Sequence, residues 1–176
     1  MPFLLSPPNE FGKQAKSDLP FLNNLTYGTC NPSPDAYICG KTMKKLLASL
    51  KTSCAHERSN MVAFVDDMYT GLALYDISHP AGCISDGGEP GFYCYIQAIA
   101  SPNFNDQYMY QTLGGLTIPQ IANYSCGRCL KYLVGLFDAA PMLVSEQSAL
   151  ATFRNAYSPA RENVIAACGD DFLNTS

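Results

Sequence analysis

Eight cysteines in 176 residues constrain this chain more than any other feature of its sequence. An even number of cysteines is typical of a disulfide framework, whereas a zinc domain usually has two CxxC pairs, or one such pair and two histidines close together. This chain has one CxxC, from Cys126 to Cys129, and only two histidines, His56 and His79. We therefore predict disulfides at every cysteine, and no metal ion or other cofactor. The predicted disulfide residues are Cys30, Cys39, Cys54, Cys83, Cys94, Cys126, Cys129 and Cys168.

The rest of the composition favours an extracellular glycoprotein. Three Asn-x-Ser/Thr sequons predict glycosylation at Asn24, Asn123 and Asn174. Only 15% of the residues are charged and the net charge is -4. This balance argues against nucleic acid as a partner, because such a surface needs clustered lysine and arginine. No apolar run approaches the roughly 18 residues of a membrane span.

The chain ends suggest a processed protein. Residues 1–8 lack the basic region and the long apolar run of a signal peptide. We therefore expect a mature chain, secreted or at the cell surface, from which a signal sequence was removed. A lipid-anchor signal at the end of a longer precursor is compatible with the polar C-terminus.

Apolar residues at helical spacing predict a mainly α, disulfide-stapled domain. The clearest helix begins near Cys39, and its lysines lie away from its apolar stripe. A basic membrane-binding helix is the alternative for this segment, but the acidic remainder of the chain favours packing on a core. A second helix is predicted from Ser59 to about Tyr75. The two stripes are Met43, Leu46, Leu47, Leu50 and Cys54, then Val65, Met68, Tyr69, Leu72 and Tyr75.

Turn-forming residues divide the rest of the chain. We predict an extended lead-in over residues 1–20, followed by a single domain over residues 21–173. Within it we expect a Gly-rich loop at 83–94 and a long irregular segment at 101–122. Helical periodicity returns at the C-terminal end. The predicted helix starts there are Cys126, Ser145 and Ser158, and the last helix is expected to end at Cys168 before Gly169.

The predicted elements limit how the cysteines can pair. We expect a Cys83–Cys94 disulfide to close the Gly-rich loop. Either Cys126 or Cys129 is expected to bond to Cys168. Cys39 and Cys54 are 15 residues apart, about 22 Å along a continuous helix, so they should not bond to each other.

Three groups of polar residues are weaker candidates for chemistry. A CxxC at a helix start would lower a thiol pKa, but Cys126 and Cys129 do not follow a strand as redox motifs do. His56 and His79 belong to no recognisable catalytic motif and are interpreted as loop histidines. The carboxylate clusters match no calcium loop and no defined acid–base pair. They are Asp66-Asp67, Asp86 with Glu89, and Asp170-Asp171.

Tyrosines cluster in the central part of the chain. Tyr93, Tyr95, Tyr108 and Tyr110 are candidates for a partner surface, because tyrosine is enriched at interfaces. The alternative is that they pack in the core and form local hydrogen bonds.

The chain from about Asn60 to Leu173 resembles a family of fungal secreted, often lipid-anchored, cysteine-rich proteins without an assigned function. The resemblance implies an extracellular location and structural cysteines, but no catalytic residue. The matching motifs are Tyr69-Thr-Gly-Leu, Tyr75-Asp76, Gly82-Cys83-Ile84, Gly91-Phe-Tyr-Cys94-Tyr95, Tyr110-Gln-Thr-Leu-Gly114-Gly-Leu, Cys126-Gly-Arg-Cys129-Leu130, and the final Tyr157, Ala160, Val164-Ile165 and Cys168-Gly169-Asp-Asp-Phe172.

We therefore expect a non-catalytic extracellular domain that binds a cell-wall, host or surface partner, whether protein, glycan or lipid. One alternative is a carrier of a small apolar ligand, which should contain a dry internal cavity. Another is a CxxC thiol-disulfide enzyme, which should have an accessible thiol at Cys126. A partner-binding module should instead show a solid core and an exposed tyrosine-rich patch.

Overall fold

A computed structural model shows a helical domain. The structure describes residues 18–33, 35–85, 87, 93–118 and 123–173. Of these described residues 79% are helical, and none belongs to a strand. An isolated bridge pairs Ser85 with Tyr93. The predicted fold class, a disulfide-stapled helical domain, is confirmed.

Ten α-helices and two 3₁₀ helices follow one another in the described part of the chain. The α-helices are α1 Leu19–Cys30, α2 Ala36–Ser53, α3 Ala55–Ser59, α4 Ala63–Ala73, α5 Tyr75–Cys83, α6 Cys94–Ala100, α7 Phe104–Gln111, α8 Arg128–Asp138, α9 Ala140–Leu143 and α10 Gln147–Cys168. The 3₁₀ helices are Thr112–Gly114 and Asp170–Leu173.

Aspartate caps set the first two helix starts. The Asp18 carboxylate accepts a hydrogen bond from the Phe21 amide, so α1 begins inside the predicted lead-in. Residues 1–17 of that lead-in lie outside the described part of the chain. Asp35 caps α2 in the same way through the Ile38 amide, so α2 begins three residues before Cys39.

Two helices continue through an internal proline, a residue that usually marks a helix boundary. Pro80 lies inside α5, where Ile77 and Ala81 are fully buried. Pro159 lies inside α10, so the two helices predicted from Ser145 and Ser158 are one. Each proline removes a helical hydrogen bond, and the continuous buried face on both sides of it offsets this cost.

The prediction of an irregular segment at 101–122 is wrong for part of that segment. It contains α7 and the first 3₁₀ helix, while residues 119–122 are not described. α7 has a weak apolar pattern, and it buries Met109 and Tyr110 as it packs against α6. Its helicity therefore depends on the neighbouring helix more than on its own periodicity.

The core centres on an aromatic cluster shared by α8 and α10. The Phe137 ring lies edge-on to both Phe153 and Tyr157, at centroid distances of 5.2 and 5.4 Å. The Tyr157 hydroxyl donates a hydrogen bond to the Asp138 carboxylate at 2.7 Å. The cluster is therefore apolar inside, and the Tyr157 hydroxyl at its edge is hydrogen-bonded to a carboxylate.

Three disulfides fasten segments that are distant in the sequence. They are Cys30–Cys83, Cys94–Cys129 and Cys126–Cys168. The last agrees with one of the two predicted partners of Cys168. Cys54 forms no disulfide with any described cysteine, so the prediction that all eight cysteines are bridged is wrong.

The predicted Cys83–Cys94 disulfide is also wrong. A main-chain hydrogen bond closes the base of the loop instead, from the Cys94 amide to the Ile84 carbonyl at 2.8 Å. Cys83 ends α5 and bonds to α1, whereas Cys94 begins α6 and bonds to α8. Each cysteine thus faces a different neighbouring helix.

Candidate functional site

An open apolar groove of about 520 Å³ lies between α2 and α4, and we call it the α2–α4 groove. Side chains from both helices and the first residue of α5 line it. Its apolar lining consists of Met43, Leu46, Leu50, Cys54, Met68, Leu72 and Tyr75, and Asp67 is among its polar residues. The lining is mostly apolar, although the groove is open to solvent.

The groove exists because both helices are apolar over more of their surface than the core covers. In α2, Leu47 and Leu50 are buried, but Leu46 remains 48% exposed. In α4, Val65 and Tyr69 are buried, whereas Met68 remains 44% exposed. The stripes predicted as core therefore divide into a buried part and an exposed part. The spacing of these stripes is ordinary for an amphipathic helix, so the sequence carried no signal for the division.

The two helices that form the walls of the groove carry opposite charge. Helix α2 contains lysines 41, 44, 45 and 51 and no acidic residue. Helix α4 contains Asp66 and Asp67 and no basic residue. Lys44 forms an ion pair with Asp76 at 2.9 Å, which links α2 to α5.

A polar network joins α2 and α4 to the start of α10. The Glu146 carboxylate accepts hydrogen bonds from Lys51 at 2.9 Å and from the Tyr69 hydroxyl at 2.8 Å. The Lys51 and Tyr69 hydrogen bonds lower the pKa of Glu146. The Arg58 guanidinium lies 3.7 Å from the centre of the Tyr69 ring. The network therefore ties both groove helices to the N-terminal end of α10.

A second cavity of about 330 Å³ lies beside the Cys94–Cys129 disulfide. Its lining is mixed and includes Gln97, Asp106 and Arg128. The Asp106 carboxylate accepts hydrogen bonds from the Ser125 amide at 2.9 Å and from the Ser101 hydroxyl at 3.2 Å. Because Asp106 is engaged in holding two chain segments, we assign this cavity a structural role.

Comparison with known proteins assigns the chain to a family. The model of the family described as "Domain of unknown function (DUF7729)" matches residues 1–176. The chain belongs to this family. No curated protein and no solved structure matches the chain. This match supports the resemblance to a family without an assigned function. The structure itself contains three disulfides.

The CxxC of this DUF7729 domain does not form a Cys126–Cys129 disulfide. Cys126 bonds to Cys168, and Cys129 bonds to Cys94. A thiol-disulfide enzyme would instead cycle its two CxxC sulfurs between a dithiol and a shared disulfide. In this structure the two sulfurs belong to two separate disulfides.

Both histidines of the domain make structural contacts. The His56 ring is hydrogen-bonded to the Asn60 side chain at 3.0 Å at an exposed helix end. The His79 ring bonds to the Thr29 carbonyl at 3.2 Å and lies beside the Tyr75 ring. In the described part of the chain, no three His, Cys, Asp or Glu side chains are grouped as metal ligands would be.

Two of the four candidate surface tyrosines are in the core. Tyr95 is 6% exposed and Tyr110 is 3% exposed, and their rings contact edge to face at 5.0 Å. Burial raises the pKa of Tyr95 to about 12 and also raises that of Tyr110. Tyr93 and Tyr108 are half-buried. The prediction of a partner surface is therefore wrong for Tyr95 and Tyr110, because packing of α6 on α7 turns these two rings inward.

The remaining predicted residues are dispersed. Asn24 and Asn123 are exposed, on α1 and before α8 respectively. Asp170 and Asp171 lie in the second 3₁₀ helix. Asp86, Glu89 and Asn174 lie outside the described residues.

Proposed function

We propose that this DUF7729 domain is a non-catalytic binding module that docks an apolar partner surface in the α2–α4 groove. The observation that carries the proposal is the exposed apolar lining, in which Leu46 and Met68 are nearly half exposed. Exposed apolar patches with polar rims commonly mark interaction sites. The buried apolar side chains of the described residues pack in one core cluster.

We further propose that the domain works outside the cell, as part of a fungal secreted or surface glycoprotein with a lipid anchor in its precursor. Three disulfides are compatible with this location, because such bonds persist in oxidising compartments. Exposed Asn24 and Asn123 suit glycosylation. The described helices include none whose length and apolar character would let it cross a membrane.

A small apolar ligand is the second candidate occupant. A volume of about 520 Å³ falls within the range of ligand pockets, about 300–1,000 Å³. Such pockets cover most of a ligand's surface, whereas this groove is open. A partner that brings its own covering surface therefore suits the groove better than a free lipid.

Binding of Nile red, a neutral apolar dye, tests the proposal. We expect the dilute protein to enhance the dye's fluorescence. The double substitution Leu46→Gln and Met68→Gln should weaken this binding at least about tenfold, because it removes exposed apolar surface without adding charge. Met142→Gln is the control, since Met142 is 83% exposed on α9. Equal binding by the groove variant and the control would contradict the proposal.

A further inference from the structure

We propose that the partner in the α2–α4 groove is a second copy of this chain, so that two domains form a symmetric dimer through these faces. The inference rests on the proposed function and names its partner. It follows from three properties of the face, which are its charge pattern, its apolar stripe and its size.

The charge pattern is self-complementary. In a two-fold interface each patch meets a copy of itself. If the axis runs along the groove, it places α2 of one domain opposite α4 of its partner. The basic helix α2 then faces the acidic helix α4 of the other copy, on both sides of the axis. A single-sign patch would repel its own copy, whereas these two walls attract.

The outer rims of the walls carry charges available for this attraction. Asp67 lines the groove and is exposed. Lys45 is exposed one helical turn before Ser49, which also lines the groove. Neither Lys45 nor Asp67 forms a salt bridge within the described residues, whereas Lys44 and Lys51 do. Lys45 and Asp67 can therefore interact with the partner at no cost to the fold.

The apolar stripe between the rims supplies the contact surface. Phe64 is 72% exposed and lies one helical turn before Met68, so it extends the groove lining towards the start of α4. Leu46 contributes from α2. Pairing two such faces would cover the apolar side chains of both copies with helix against helix, as in a helical bundle.

The size of the face predicts a weak dimer. Helix α2 has 18 residues and is about 27 Å long, and two adjacent helices are about 20 Å wide. The face therefore covers on the order of 500 Å² per copy, below the roughly 800 Å² of a standard interface. We expect a dissociation constant in the micromolar range.

Sedimentation equilibrium measures this dimer directly. The intact chain should pass from monomer to dimer between about 1 and about 200 µM. Leu46→Gln with Met68→Gln should weaken dimerisation at least about tenfold, and Met142→Gln should leave it unchanged. Circular dichroism of each variant checks that it remains folded.

Charge reversal tests the two-fold arrangement. At about 10 mM salt, where screening is weak, Lys45→Glu and Asp67→Lys should each weaken self-association about fivefold. An equimolar mixture of the two variants should recover the affinity, because each reversed wall then faces its complement. Arg154→Glu is the control, because it reverses one charge at an exposed position of α10, as Lys45→Glu does on α2.

The thiol of Cys54 reports on the same face. Cys54 lines the groove and is not in a disulfide. Alkylation of Cys54, followed by peptide mass spectrometry, should slow as protein concentration rises through the dimerisation range. Constant rates would show that any dimer uses another face.

Three outcomes bear on this inference and on the proposed function. A chain that stays monomeric at every concentration, yet binds Nile red in the groove, overturns the dimer and leaves the binding module. A chain that neither dimerises nor binds the dye overturns both. A dimer insensitive to the groove and charge variants overturns the proposed interface.

Discussion

Cys30 is bonded to Cys83, 53 positions later in the sequence, and this disulfide fastens the end of α1 to the end of α5. The connection holds α1 against α5 and α6, where Leu22 is buried. The half-buried Cys54 is only two dozen residues from Cys30, yet it forms no disulfide with any described cysteine.

Removing this disulfide should destabilise the domain strongly. The double substitution Cys30→Ser and Cys83→Ser is expected to lower the free energy of unfolding by about 2–5 kcal/mol, because the unfolded chain regains the freedom of a long loop. Urea unfolding of the oxidised proteins measures the change. Cys54→Ser is the matched control and should cost less than about 1 kcal/mol. Equal losses in both variants would contradict a structural role for the disulfide.

Peptide mapping under non-reducing conditions should show how the cysteines pair. We expect three linked peptide pairs, containing Cys30–Cys83, Cys94–Cys129 and Cys126–Cys168. Cys54 should carry the alkylating label added before reduction. A linked peptide containing Cys83 and Cys94 would contradict the arrangement of α5 and α6 described above.

Glu146 should make stability depend on pH. Hydrogen bonds from Lys51 and Tyr69 hold the pKa of Glu146 below its usual value of 4.5. The ionised carboxylate therefore stabilises the fold above about pH 4.5, and this contribution is lost as the pH falls through the lowered pKa. Because Lys51 is partly exposed, we expect Glu146→Gln to cost only about 1 kcal/mol at neutral pH.

Urea unfolding between about pH 7 and about pH 3 tests this prediction. The stabilities of the wild type and of Glu146→Gln should converge as the solution becomes acidic. Glu162→Gln, on the exposed side of α10, should have little effect at any pH. A Glu146→Gln penalty that stays constant with pH would exclude the ionised network as its cause.

Gly115 should not tolerate a side chain. Its φ is +78°, and a Cβ atom there would lie 2.8 Å from the Thr152 methyl group on α10. Gly115→Ala is expected to destabilise the domain by about 1–3 kcal/mol. Gly135→Ala has open space on α8 and should be neutral or stabilising by up to about 1 kcal/mol.

Thermal unfolding of both alanine variants measures the difference. Thr152→Ser removes the contacted methyl group, so Gly115→Ala should cost less in that background, and the remainder reports the backbone strain. A Gly115→Ala protein as stable as the wild type would show that the 3₁₀ turn is not held against α10.

Local patterns were sufficient for part of the fold. The predicted helices near Cys39 and Cys126 correspond to α2 and α8, and α10 ends at Cys168 before Gly169, which has φ +89°. Periodicity and chain-stopping glycine act within a few residues, so the sequence displays them directly.

Local sequence patterns could not predict the candidate site. Leu46 and Leu47 are adjacent and both apolar, yet Leu46 lines the groove while Leu47 is buried. The sequence shows that α2 is apolar over a wide face, but not which part of that face another helix covers. The same limit applied to Tyr95 and Tyr110, whose burial depends on the packing of α6 against α7.

The amino-acid sequence alone determined the helical class and several helix ends, because these depend on residues close together in the chain. It also gave the even number of cysteines. Tertiary structure decided that Cys30 bonds to Cys83 and Cys94 to Cys129, and that α2 and α4 leave a groove. A disulfide requires two Cα atoms within about 7 Å, and a groove requires two helices side by side. Both are distances between segments far apart in the chain, and only the packed fold sets them.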